Sequence, residues 1–315
     1  MCMKLKSFIS IDDQIELLQS EGLVIDSVED AKTVLSKTSY YVLINGYREP
    51  FISEPKPRRY KDGANFKELL SLYQFDTFLR NLIFPEILLI EEQIKTACVY
   101  EFSDERKPDG SFAHQGDDYL DETSYETIND TKTKCVGELI ASFKKTKEEC
   151  NADSYAYYLK EYNYIPLWVF ATNMSFSQTS RFYESLKQGP RTKVAKRYGC
   201  LESDLRTVLK CLNVARNICA HNGRLYCANI AFYLPNAFSL SHEQRAIDGT
   251  SKRKFGSILY CLELLLPPER FARVVERLNE SLRILSTELT SIKIAVILKR
   301  MGISKGMIAH FKIAI

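Results

Sequence analysis

Residues 205–226 read LRTVLKCLNVARNICAHNGRLY, and their polar members are of types that handle phosphodiesters. On a helix, Asn213, Asn217 and His221 fall four apart and form one polar stripe, with Arg216 at its edge. Val208, Leu212, Ala215 and Cys219, with Leu205 close by, share the opposite, apolar face. An imidazole passes protons near neutral pH. A planar guanidinium holds two phosphate oxygens as charge builds in a transition state. Asparagine can orient either group. This combination suits attack by a ribose 2′-hydroxyl on its own phosphodiester, which restricts the substrate to RNA and needs neither a metal nor another cofactor. Two potential cations side by side make a poor structural pair, yet an isolated R-x4-H spacing also fits a plain solvated helix face.

The helix that carries this stripe is expected over 203–222, with Gly223 as its left-handed cap and Arg224 at or beyond its end, where a cation is favoured. Upstream, Ile11, Ile15 and Leu18 mark a helix over 11–23, and a second fits Val28–Lys37. The run from Ser39 to Tyr47 is aromatic and β-branched and precedes Pro50, Pro55 and Pro57, so it reads as an irregular exit from a small N-terminal module. From Asn65 the spacing of Phe66, Leu69, Leu70, Tyr73, Phe78 and Leu82 predicts one long helix toward Phe102, bent at Pro85. Residues 103–131 are polar with Gly and Pro and read as an insertion loop. Helices follow at 132–150, 153–162, 167–187 and 203–222, then a mixed stretch over 223–255 and a final long helix over 268–289. The expected class is all-α: a helical bundle with a small N-terminal helical module (1–65), a helical core (66–290) and a C-terminal tail (291–315).

Composition narrows the classes. The 315 residues are 45% hydrophobic and 26% charged, ordinary for a globular chain. A net charge of +3 excludes a molecule that is basic all over. Basic residues do cluster at Arg191, Lys193, Lys196 and Arg197 and again at Lys252, Arg253 and Lys254, where they could meet phosphates or simply water. Nine cysteines include no C-x-x-C pair, which fits free thiols in a reducing compartment rather than a thiolate metal site. The N-terminus lacks a signal-peptide pattern, and the apolar stretches at 82–90 and 258–266 are interrupted by Pro85 and Glu86 or by Glu263. The chain reads as cytoplasmic, with no membrane partner. Tyr155, Tyr157, Tyr158, Tyr162, Tyr164 and Trp168 form a dense aromatic stretch that suits helix packing or the stacking of unpaired bases. The tail carries Lys299, Arg300, Lys305 and Lys312 among apolar residues and suits either RNA contact or coverage of the core.

R-N-I-C-A-H-N-G-R-L-Y, residues 216–226, resembles the R-N-x-x-A-H-x-x-R-L-aromatic signature of the Abi family, the Abi-like branch of the HEPN superfamily. Three further blocks agree in order. They are Ser39-Tyr40-Tyr41 with Asn45-Gly46-Tyr47; Leu72-Tyr73-Gln74-Phe75-Asp76 with Leu79-Arg80 and Ile90-Glu91; and Pro166-Leu167-Trp168-Val169 with Ser175-Phe176 and Ser180-Arg181-Phe182-Tyr183. The resemblance implies a HEPN-like bundle and a bacterial phage-defence ribonuclease. Arg216, His221 and Asn217 would be its catalytic residues. Asn213, Asn222, Arg224, Glu91, Asp76 and Arg80 would contact RNA or support the site. Asn45 and Arg48 depart from the usual Ser and Trp, and Asn222 stands where a second His is frequent. Because the superfamily joins two R-x4-H copies in one cleft and this chain has one, a homodimer is implied. The implied partners are RNA, as substrate or as a regulatory small RNA, and an antitoxin. Two other readings stay open: a weakly active or inactive RNA-binding protein acting with a cognate small RNA, and a helical interaction scaffold.

Overall fold

The computed structural model describes residues 8–230 and 254–314; Lys252, Arg253 and Pro235 lie outside them. Fourteen α-helices and one two-stranded hairpin make up the regular structure of the described residues, an all-α bundle as expected. Helix α1 (Ile11–Ser20) starts at a reciprocal cap, in which Ser10 accepts from the Asp13 amide and Asp13 reaches back to the Ser10 amide. Helix α2 (Val28–Lys37) is capped by Ser27 and packs on α1. Residues 40–47, expected to be irregular, are instead helix α3 (Tyr40–Tyr47). Leu43, Ile44 and Tyr47 are buried there, so tertiary packing outweighs the β-leaning composition of the run. A short antiparallel hairpin, β1 (Ile52–Pro55) with β2 (Arg58–Tyr60), follows.

Helix α4 (Phe66–Ser103) is the axis of the molecule, about 57 Å long at 1.5 Å per residue. Asn65 caps it together with Glu68, whose second oxygen accepts from the amides of Thr290 and Ser291 at 2.7 and 2.8 Å. The helix continues through Pro85, which is exposed, as is Asn81, whose carbonyl loses its helical donor. Residues 104–129 hold two 3-10 turns and bury Tyr119 and Tyr125, so this polar stretch is packed against the bundle. Then come α5 (Asp130–Glu149), α6 (Asp153–Tyr162) and α7 (Leu167–Phe170). The expected helix over 167–187 is broken, because Met174 is extended and Ser175 with Gln178 caps a new helix, α8 (Phe176–Ser185). Helices α9 (Gln188–Arg197), α10 (Glu202–Ala220), α11 (Phe255–Leu265) and α12 (Pro268–Glu288) complete the layer around α4. The tail forms α13 (Ile294–Met301) and α14 (Lys305–Phe311), which bury Ile297, Leu298, Met301, Met307 and Phe311. The tail thus covers the core, with Lys299, Lys305 and Lys312 left exposed.

Candidate functional site

Helix α10 presents the stripe. Leu205, Val208, Leu212, Ala215 and Cys219 are buried where α10 packs on α4, α8 and α11. Truncating one of them, Leu212, to alanine would cost about 2–5 kcal/mol. That anchoring turns the opposite side outward: Asn213 is half-buried, while Asn217 and His221 are exposed. Among the described residues the His221 imidazole has no hydrogen-bond or ion-pair partner.

Arg216 sits at the margin, its side chain 31% exposed, and faces Glu91 of α4 with Nε 3.7 Å from Oε2. That separation is too long for a hydrogen bond. Both Arg216 Nε and Glu91 Oε2 are buried without a hydrogen-bond partner, a state that few buried polar atoms occupy. Burial pushes the Glu91 carboxyl above its ordinary value, and the charges of Arg216 and Lys95 pull it partway back. The pair therefore has an unused donor and an unused acceptor, both out of contact with water.

His221 ends the helix, its amide donating to the Asn217 carbonyl at 3.1 Å. Asn222, not Gly223, takes the left-handed conformation, at φ 53°. The Asn222 amide then reaches the Cys219 carbonyl at 3.3 Å and the Gly223 amide the Ile218 carbonyl at 2.8 Å, closing the helix. Position 223 is closely packed instead. A Cβ there would lie 3.1 Å from Ile218 Cγ2 and 3.2 Å from the Ile218 carbonyl oxygen.

The segment after the cap is hooked to α4. Asp76 is fully buried and accepts from Tyr47 Oη at 2.7 Å, Arg80 Nη1 at 2.9 Å, and the amides of Leu225 at 3.0 Å and Tyr226 at 2.7 Å. Burial raises its pKa, while these four donors stabilise the charged form. Arg80 also donates to the Gly223 carbonyl at 3.1 Å and to Thr77 Oγ1 at 2.9 Å. Arg224 donates to the Gly46 carbonyl at 2.8 Å, tying the same segment to α3. The Tyr47 ring stacks on Tyr226, centroids 5.8 Å apart.

The expected residues thus separate into two sets. Arg216 faces Glu91 at the edge of the polar side of α10 that carries Asn213, Asn217 and His221, whereas Asp76, Arg80, Asn222 and Arg224 fix the backbone that follows it. Sequence reasoning passed over Tyr47 as a partner of Asp76 and Lys95 as a neighbour of Glu91. The aromatic run around Tyr47 was the signal for the first, and the four-residue interval from Glu91 to Lys95 on one helix was the signal for the second. The basic stretch on α9 is largely paired. Arg191 holds Glu126 and Glu202 at 2.7 and 2.6 Å, and Lys193 and Arg197 share Glu101. Tyr155 is buried and donates to the Phe170 carbonyl at 2.9 Å, but Tyr157, Tyr162 and Trp168 are exposed. Among the described residues, no group of three or more His, Cys, Asp or Glu side chains is placed to hold a metal ion. No helix of the described residues is long and apolar enough to cross a membrane.

The family described as Abi-like protein matches residues 33–227, a span that includes α3, the Asp76–Arg80 hook, Glu91 and the end of α10. No curated protein and no solved structure matches the chain. With more than half of its length matched, the chain belongs to the Abi-like protein family.

Proposed function

We propose that the chain is a HEPN-type endoribonuclease of bacterial abortive-infection defence that cleaves RNA without a metal. The observation that carries the reading is an exposed, unpaired imidazole at the end of α10, with an arginine in the preceding turn whose buried Nε lacks a hydrogen-bond partner. In the proposed step the 2′-oxygen bonds to phosphorus, the bond from phosphorus to the 5′-oxygen breaks, and a 2′,3′-cyclic phosphate forms. One group takes the 2′-hydroxyl proton and another gives a proton to the departing 5′-oxygen. Arg216 stabilises the phosphorane oxygens, and Asn217 orients the imidazole or the phosphate. A single His221 fills one proton role at a time, so a second copy of the chain supplies the other, in a homodimer with a shared cleft.

The test is cleavage of single-stranded RNA by purified protein in EDTA. The expected result is cyclic or 3′-phosphate ends, lost in His221→Ala and Arg216→Ala. Full activity of His221→Ala would remove the assignment. Adding excess His221→Ala protein to wild type should depress activity faster than dilution, because mixed dimers hold one intact half. A second reading draws on the Glu91 contact: a carboxylate facing Arg216 also suits a protein that holds a regulatory RNA, or awaits release from an antitoxin, with its nuclease restrained. Sequencing of RNA that copurifies with wild type and with His221→Ala separates the two readings, since only cleavage leaves ends that differ between them.

A further inference from the structure

Trp168 is the only tryptophan in the chain, and it faces solvent. Its neighbours Leu167, Val169 and Phe170 are buried, and the Val169 and Phe170 amides both bond the Pro166 carbonyl at 2.9 Å. Helix α7 is thereby fixed with the indole 59% exposed. Across a groove of about 310 Å³ stands Tyr100 of α4, 58% exposed. Lys95, Thr96 and Val99 form the floor between them. Two large aromatic rings left this open on a folded surface imply something that covers them.

The charges around the groove indicate what. The guanidinium of Arg197 lies over the Tyr100 ring, 5.3 Å from its centre. Arg197 and Lys193 are 42% and 56% exposed, whereas Glu101, the carboxylate they share, is 8% exposed. The Tyr100 end therefore shows water two cations and little of their counter-charge. At the other end Glu92, 69% exposed, pairs at 3.3 Å with Lys95, 9% exposed, so the cationic character is confined to the Tyr100 end. Aromatic faces beside exposed cations suit bases and phosphates of an unpaired strand better than an apolar peptide. The groove shares its helix with the candidate site, but Tyr100 lies nine positions past Glu91, about two and a half turns, and so projects from the opposite side of α4.

We infer that the groove between Trp168 and Tyr100 is a base-stacking subsite for single-stranded RNA. The inference deepens the ribonuclease reading, but it rests on the groove itself for its ligand. Trp168 provides its own readout. A short single-stranded oligouridylate, 2′-O-methylated throughout so that it resists cleavage, should quench the tryptophan emission of the wild-type chain saturably. The same sequence in a duplex should not. Tyr100→Ala should weaken binding by roughly tenfold or more, the usual loss for one stacking ring, and Trp168→Leu, followed by anisotropy of a labelled strand, should do the same. Both rings are exposed, so an unchanged helical circular dichroism spectrum checks the fold.

Binding with unaltered Trp168 emission and full affinity in both variants overturns the groove and leaves cleavage at His221 standing. Quenching by the methylated strand, with no cleavage of unmodified RNA, keeps the groove and removes the nuclease reading. Emission that shifts with protein concentration alone assigns the groove to a contact between two copies and overturns the inference.

Discussion

Helix α4 holds two carboxylate–guanidinium pairs against α10 and the segment that follows it, and they differ in how completely they are satisfied. Asp76 and Arg80 meet at 2.9 Å, and three further donors complete the carboxylate. Glu91 and Arg216 stand 3.7 Å apart, with a buried atom unpaired on each side. A buried charge pair is stable when its remaining hydrogen-bonding capacity is filled, and removing one partner of such a pair is costly. The first pair is scaffold. The second leaves a buried donor and a buried acceptor unfilled, on the helix that ends at the exposed histidine.

The largest expected effect tests the scaffold half. Asp76→Ala strands Arg80 and two backbone amides in the interior, so it should lower unfolding free energy by about 3–5 kcal/mol. Urea denaturation measures this, and a loss below about 1 kcal/mol would erase the contrast between the pairs. Next, His221→Ala should reduce RNA cleavage by on the order of a hundredfold or more while changing stability by less than about 0.5 kcal/mol. A variant that melts early would place His221 among the structural residues.

The third effect is a pH dependence. Because burial raises the Glu91 pKa, the folded chain keeps a proton there that the unfolded chain releases. The stability from that proton is fully present below the ordinary value of 4.5 and is lost as pH rises through the higher folded value. Wild type should therefore lose stability relative to Glu91→Gln as pH climbs from 4.5. Parallel melting curves across that range would show that Glu91 is not desolvated. The smallest effect concerns the cap. Asn222→Ala should cost about 1 kcal/mol, because alanine is strained at positive φ, and Asn222→Gly should be neutral or slightly stabilising. Equal losses in both would mean that the Asn222 side chain, rather than its backbone, matters.

Much of the helix layout was legible because its signals are local. Ser27 before Val28, Asn65 with Glu68, and Pro at 268 mark starts that the structure keeps. The apolar face of α10 follows directly from its spacing. Helix α3 was hidden by its aromatic and β-branched content, which favours a strand until Leu43, Ile44 and Tyr47 are buried. The break before α8 had a readable sign in Ser175 and Gln178, but the apolar run on either side masked it. Arg216, Asn217 and His221 could be chosen from residue type and interval. The facing of Glu91 to Arg216 spans 125 positions and depends on how two helices cross, which no local pattern encodes. The same holds for Asp76, whose amide donors belong to a segment without regular structure.

That segment has a mechanical consequence. The Leu225 and Tyr226 amides donate into a fully buried carboxylate, so they should exchange hydrogen with solvent only when the bundle itself opens, as slowly as the amides of α4. The backbone just downstream of His221 is thus not a flap. A ligand cannot be enclosed by folding residues 223–226 over it.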